Sequence, residues 1–286
     1  MHKLQKKLLN NCKILFNKGV AKKECFDLAD NYETFKDQVY QLTKIDLNSY
    51  KERQMKRRID ALIAKHKIAS YNTYVDTLKK NPVMFEEFVN YLTINVSEFY
   101  RNPEQWALLE KEVLPYLFQR FGNNIKIWSA ACSTGDEPYS LVMLLSKVMP
   151  LNRIKVIATD IDKQILEKAK LGLYNVKSLK GLPEEFITKY FKAINSTTYQ
   201  ISDTIKSQVE FRSHNLLKDD YPSQCDLIIC RNVLIYFTEE AKDNIYKKFN
   251  ASLKKDGILF VGSTEQIIQP QNLSFATYKS FFYKKI

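Results

Sequence analysis

Neither glycine pattern that cradles a polyphosphate is present. The chain has no GxxxxGK[ST], and the acidic turn Cys132-Ser133-Thr134-Gly135-Asp136-Glu137 holds a single glycine in place of GxGxxG. Pyrophosphate and triphosphate ligands are therefore poorly served. The five cysteines, Cys12, Cys25, Cys132, Cys225 and Cys230, form no CxxC pair and have no histidine at zinc spacing. Neither a disulfide framework nor a metal site is indicated, and a reducing cytoplasm is the simple expectation. Acids are in deficit, 32 against 44 Lys and Arg, for a net charge of +12, which favours an acidic partner: nucleic acid, an anionic membrane surface or an acidic protein. A long hydrophobic run is also missing near the start. Leu4, Leu8, Leu9, Ile14, Leu15 and Phe16 are interrupted by Lys and Asn with no small-residue cleavage site, so neither a signal peptide nor a membrane span is expected.

What is present suffices for one large core, or for an α/β domain with a smaller companion: 286 residues, 45% of them hydrophobic. Residues 1–32 read as a helical extension, with Lys3, Lys6, Lys7 and Lys13 among apolar positions and Gly19 as a break. Residues 32–99 show helical periodicity throughout, in the sets Phe35, Val39, Leu42; Met55, Ile59, Leu62, Ile63; Tyr71, Tyr74, Val75, Leu78; and Phe85, Phe88, Val89, Leu92. Ser70 and Asn81-Pro82 punctuate that run as caps and short connections. A linking helix over residues 106–121 leads into alternating strands and helices, with strands expected at 125–130, 154–158, 209–212, 225–230 and 257–262. Such alternation predicts a mostly parallel sheet covered on both faces. The excursion over 171–208 exceeds a normal connection and reads as a functional insertion or small subdomain. In it Leu182-Pro183 suits a helix start, Tyr190-Phe191 a packed turn and Tyr199-Gln200-Ile201 a short strand.

The helix expected over residues 49–66 carries Lys51, Arg53, Lys56, Arg57, Arg58 and Lys65 against only Glu52 and Asp60. Its face opposite Met55, Ile59 and Leu62 is centred on Arg53 and Arg57. Such a run is either a solvated face or a docking surface for something acidic.

In a doubly wound α/β fold, ligands bind outside the carboxyl ends of the strands. Ser133 to Glu137, Asp160, Asp162, Asn215, Leu216, Arg231 and Asn232 collect there. An acid some 25 residues beyond the turn suits a ribose, because a carboxylate accepts from both hydroxyls. Asp136, Glu137, Asp160 and Asp162 are poor company for a polyphosphate but suit a ligand with an ammonium group, a sulfonium and a ribose, a description that S-adenosylmethionine meets. Taken singly, each of these acids has a plainer use as a helix cap or surface carboxylate.

Five stretches closely resemble the bacterial chemoreceptor protein-glutamate O-methyltransferases: Thr93-Ile94-Asn95-Val96-Ser97-Glu98-Phe99-Tyr100-Arg101, Trp128 through Ser140, Ala158-Thr159-Asp160-Ile161-Asp162, Asn215-Leu216-Leu217, and Cys230-Arg231-Asn232-Val233-Leu234-Ile235-Tyr236-Phe237. The likeness covers about residues 33–286. It implies a helical docking domain (33–100) and a Rossmann-like α/β catalytic domain (101–286) that binds S-adenosylmethionine and releases S-adenosylhomocysteine, with a small antiparallel β subdomain inserted near 171–208. Carried over position by position, the cofactor contacts fall on Asn95, Ser97, Arg101, Glu137, Asp160, Asn215, Leu216, Arg231 and Asn232, and the residues nearest the transferred methyl on Arg101 and Tyr236. Ser97 stands where Thr is common and Asp136 where Glu is common, and both keep the chemistry. The extension over residues 1–32 has no clear counterpart.

The same resemblance implies a substrate: glutamates on the cytoplasmic methylation helices of chemoreceptors, docked through Arg53, Lys56, Arg57 and Arg58, with a receptor C-terminal tail as a further contact of the inserted subdomain. A glutamate is already ionised near neutral pH, so its attack on a sulfonium methyl needs placement rather than a base. A nucleic-acid methyltransferase would also suit the positive charge. Base-amino methylation, however, typically uses a polar-Pro-Pro-aromatic motif after the fourth strand, where this chain has Arg231-Asn232-Val233-Leu234, and the Pro-Cys pair of cysteine-based enzymes is absent. A non-catalytic scaffold would be expected to have eroded cofactor motifs, and these are intact.

Overall fold

The computed structural model describes residues 31–286. The extension expected over 1–32 lies outside the described residues except for Asn31 and Tyr32, and those two already open the helical domain. Asn31 caps helix α1 (Tyr32–Thr43), its side chain accepting from the Glu33 amide at 2.9 Å. Three more helices follow: α2 (Glu52–Lys65), α3 (Tyr71–Lys80) and α4 (Pro82–Thr93). The punctuation read from the sequence acts as caps, Ser70 accepting from the Thr73 amide and Asn81 from Met84, with Pro82 in the first turn where its missing N–H is harmless. Phe35, Val39, Met55, Ile59, Leu62, Tyr74, Val75, Leu78 and Phe88 close over one another as the core of this domain.

The α/β domain opens with α5 (Pro103–Leu108), which passes through a π turn at Leu109–Val113 into α6 (Leu114–Phe121). From there the chain alternates: β1 (Ile127–Ala130), α7 (Asp136–Leu145), β2 (Val156–Asp160) and α8 (Lys163–Leu171). The excursion that follows folds as its own three-stranded antiparallel sheet, β3 (Leu173–Asn175), β4 (Phe191–Ala193) and β5 (Thr198–Ile201) in the order β3-β5-β4, with α9 (Glu184–Tyr190) and α10 (Asp203–Lys206) beside it. The main sheet resumes with β6 (Val209–Ser213), β7 (Cys225–Cys230), α11 (Glu239–Ser252), β8 (Leu253–Val261), β9 (Phe275–Lys279) and β10 (Phe282–Lys285). Its order is β6-β2-β1-β7-β8-β10-β9, parallel through β8, with β10 antiparallel to both its neighbours. The aromatic run near residue 280, which carries no strand reading in the sequence, supplies these last two strands.

Both faces of the sheet are covered, so β1 and β7 are buried along their whole length. That explains why they read as continuous apolar runs rather than as alternation. Leu141, Val142 and Leu145 pack one face; Ile245, Tyr246 and Phe249 pack the other.

The helical domain is hydrogen-bonded to the α/β domain at the strand ends. Tyr50 and Phe237 form an antiparallel bridge, the Lys51 amide donates to the Tyr236 carbonyl at 2.9 Å, and the Thr238 amide donates to the Ser49 carbonyl at 2.9 Å. This seam places the start of α2 at the rim of the cleft described next.

Candidate active site

The first wall is the turn after β1. The chain leaves the strand through Ala131 (φ 62°), Ser133 (φ 49°) and Gly135 (φ 86°), three left-handed residues of which only one is glycine. Gly135 is required twice over: a Cβ there would lie 3.0 Å from Tyr139 Cε2 and 3.1 Å from Ala169 Cβ. Neighbouring β2 holds the turn, because the Cys132 amide donates to the Thr159 carbonyl and the Ser133 amide to Asp160 Oδ2, both at 2.9 Å.

The four acids divide into two uses. Asp162 is the N-cap of α8, accepting from the Gln164 and Ile165 amides. Asp136 is buried in the first turn of α7 and accepts from the Thr134 hydroxyl. These two take the plainer role of caps and local anchors, which corrects the expectation that all four acids face a cationic ligand. Glu137 and Asp160 do line the cleft. Burial pushes the Glu137 carboxyl up to about 7 against the pull of Arg231, and pushes Asp160 up to about 6 against the Asp162 and Ser133 amides that it accepts.

The second wall is the linker from the helical domain. Asn95 Nδ2 donates to Asp162 Oδ2 at 2.8 Å and Thr93 Oγ1 donates to the same oxygen at 3.1 Å, so the cap of α8 also fastens the linker. Arg101 lines the cleft, and its carbonyl accepts from the Arg231 guanidinium at 2.8 Å and from Trp106 Nε1 at 3.1 Å. Arg231, its side chain 2% exposed, also donates to Gln105 Oε1 and Asn102 Oδ1 and stands 3.7 Å from Glu137 Oε2. It is the buried counter-ion of Glu137 and the anchor of the linker; much of its hydrogen bonding is with protein.

The third wall comes from the ends of β6 and β7. Leu216 packs in one cluster with Trp128 and its carbonyl accepts from the Tyr221 hydroxyl at 2.7 Å, and Asn215, Asn232 (φ 62°), Val233 and Tyr236 complete the rim. The whole cleft is about 1020 Å³ with its mouth included. All ten residues singled out at the cofactor and transfer positions, Asn95, Ser97, Arg101, Glu137, Asp160, Asn215, Leu216, Arg231, Asn232 and Tyr236, line this one cleft.

The docking residues are placed less evenly. Arg53 and Arg57 are exposed on α2. Lys56 is half-buried, donating to Asp60 and to the Tyr71 hydroxyl, and Arg58 is half-buried, donating to the Tyr91 carbonyl at 2.7 Å with its guanidinium over the Tyr91 ring. Sequence reasoning missed Tyr50, Trp106, Cys132 and His214, which also line the cleft, and Glu265, which supports it from behind. Glu265 was within reach of the strand-end argument, since it follows the fifth strand by only a few residues.

Residues 95–282 match the family described as CheR methyltransferase, SAM binding domain, and residues 30–93 match CheR methyltransferase, all-alpha domain. The chain belongs to the CheR methyltransferase family. A chemotaxis protein methyltransferase of Listeria monocytogenes is 42% identical over 91% of this chain and 98% of its own length. Those of Borreliella burgdorferi and Escherichia coli are each 32% identical, over 87% and 79% of this chain and 96% and 81% of theirs.

As a CheR-family chain it binds S-adenosylmethionine, and the cleft suits that group. Each Asp160 oxygen accepts one backbone amide and keeps acceptor capacity for ribose hydroxyls, and Glu137 adds a second carboxylate on the same side. Among the described residues no cluster of His, Cys, Asp and Glu is arranged to hold a metal, and no helix is long and apolar enough to cross a membrane.

Proposed function

We propose that this CheR-family methyltransferase acts in chemotaxis by methylating glutamate side chains of chemoreceptors, giving methyl esters. The observation that carries the proposal is the seam between Tyr236 and the start of α2. The exposed Arg53 and Arg57 project from the first two turns of a helix whose preceding residue is hydrogen-bonded to the cleft tyrosine. An acidic receptor helix lying along that face would bring its glutamates to the mouth of the cleft. The relatives' name, chemotaxis protein methyltransferase, supports the same substrate class.

S-adenosylmethionine supplies an electrophilic methyl on a sulfonium. The glutamate carboxylate forms the new O–C bond as the C–S bond breaks, and no proton is exchanged because the acceptor is already ionised. The task of the protein is to place and desolvate the acceptor, which can supply roughly 7–11 kcal/mol. In this reading Arg101 orients a carboxylate through its planar fork and Tyr236 donates a hydrogen bond beside the transferred methyl. Glu137 and Asp160 line the same cleft and would accept from the cofactor in their ionised forms; the step itself calls for no base, because the acceptor carboxylate is already ionised.

The inserted sheet has two edges, β3 and β4, either of which can take an added strand, and a receptor tail bound there would raise the local concentration of substrate. The deciding experiment incubates the chain with labelled methyl donor and receptor cytoplasmic fragments. Label released by base as methanol marks a carboxyl ester. Base-stable label, or label in RNA supplied in parallel, would overturn the proposal.

A further inference from the structure

Glu265 is only 5% exposed and lies outside the cleft lining. Its carboxylate is surrounded by backbone amides: Oε2 accepts from Asn232 at 2.6 Å and from Gly262 at 2.8 Å, and Oε1 accepts from Leu234 at 2.7 Å. Topology brings these together. Strands β7 and β8 are parallel neighbours with Cys230 opposite Val261, so the segment leaving β7 starts directly beside Gly262, and Glu265 closes the gap between the two strand ends.

Two further observations point to a need for this arrangement. Asn232 sits at φ 62°, a left-handed conformation that asparagine tolerates better than most side chains, and its amide is fixed there by the bond to Glu265. Gly262 leaves no room for a side chain: a Cβ would lie 2.9 Å from the Asn232 amide nitrogen and against the Glu265 carboxylate. The donors approach both oxygens, which calls for a carboxylate. An amide has one acceptor oxygen and would turn its own N–H groups toward a donor.

We propose that Glu265 is a positioning residue for methyl transfer, fixing the backbone of residues 232–234 and through it the place of Asn232 in the cofactor site and of Tyr236 in the cleft. The inference rests on the reading of Asn232 as a cofactor contact. It does not depend on which acceptor is methylated, because its test reads binding of S-adenosylhomocysteine.

Calorimetry with S-adenosylhomocysteine is run on the full chain and on Glu265→Gln, Gly262→Ala and Asn232→Ala, well below the melting temperature of each, with kcat and KM for S-adenosylmethionine measured alongside. Glu265→Gln and Gly262→Ala are each expected to weaken binding by about tenfold or more and to raise KM in proportion, while circular dichroism and a single cooperative melt show a folded chain. Gly262→Ala disturbs the same contact with the carboxylate in place, so the two variants test one arrangement from opposite sides. If Glu265→Gln does not fold, Glu265→Asp, which keeps the charge but falls one methylene short, is read in its place. Affinity within about twofold of wild type in folded Glu265→Gln, with Asn232→Ala impaired, would overturn the inference and leave the cofactor reading standing. No effect of Asn232→Ala would remove the cofactor reading itself, and the inference with it.

Discussion

The backbone amide of Lys51 donates to the carbonyl of Tyr236 at 2.9 Å, joining the residue before the basic helix to the tyrosine of the cleft. With the Tyr50–Phe237 bridge and the bond from the Thr238 amide to the Ser49 carbonyl, it forms a short antiparallel seam between the two domains. The exposed basic face of α2, proposed above to meet the partner, and the rim of the cleft are thereby parts of one hydrogen-bonded unit, and four predictions follow from the reading proposed for it.

Reversal of charge at the exposed pair, Arg53→Glu with Arg57→Glu, is expected to lower kcat/KM for receptor fragments on the order of tenfold at low salt, with the difference shrinking as salt rises. S-adenosylhomocysteine affinity should not change. Methylation rates and salt dependence equal to wild type would end the docking role of this face.

Arg101→Ala should slow methyl transfer by about 2–4 kcal/mol of barrier, in line with the loss of one preorganised donor. The fold should survive, because Arg231 and Trp106 are held by the Arg101 carbonyl rather than by its side chain. A folded variant with the wild-type single-turnover rate would take Arg101 out of the mechanism.

Asp160→Ala removes a charged acceptor worth about 1.5–3 kcal/mol, so binding of S-adenosylhomocysteine should fall roughly 10- to 100-fold by calorimetry. The melting temperature should fall as well, since the Ser133 and Asp162 amides lose their partner. Unchanged affinity in a folded variant would show that Asp160 does not hold the ribose.

Glu137 and Asp160 carry folded-state values raised to about 7 and about 6 from ordinary values of 4.5 and 3.8. For an acid raised on folding, the native state binds the extra proton. Its contribution to stability is fully present below the unfolded value and is lost as pH rises through the folded one. The ligand-free chain should therefore lose stability between about pH 4 and pH 7 on account of these two groups. Binding of S-adenosylhomocysteine favours their ionised forms, so it should be tighter at pH 8 than at pH 5.5 and should release protons. Calorimetry in buffers of different ionisation enthalpy measures that release, and zero release near pH 6.5 would show that neither carboxyl changes state on binding.

The parts of the fold that the sequence makes legible are those set by local pattern. Helical periodicity places α1 to α4, continuous apolar runs place β1, β2, β7 and β8, and the alternation of Val209-Glu210-Phe211-Arg212 places β6, because each signal lies within one element. What escapes is set by groups that meet only after folding. Strands β9 and β10 are defined by pairing with β8, and their polar-interleaved aromatics show little on their own. The cleft residues gather as expected, but the sequence cannot show that Asp162 is spent on capping α8 and tying down Thr93 and Asn95. Nor can it show that Arg231 reaches back to Gln105, or that Lys56 and Arg58 are drawn into contacts within their own domain. Apart from the local cap of α8, each of these ties depends on a partner between 15 and 126 positions away in the chain.

Ile94, Ala131, Ser133 and Asn232 all line the cleft, all have positive φ, and none is glycine. Ile94, Ala131 and Ser133 hold their backbone against a preference of roughly 1–2 kcal/mol, and Asn232 against a smaller one. Glycine at any of them would relax the local backbone but add freedom to the same rim that must hold the cofactor still. Optimising this enzyme for thermal tolerance and optimising it for turnover would therefore pull these four positions in opposite directions.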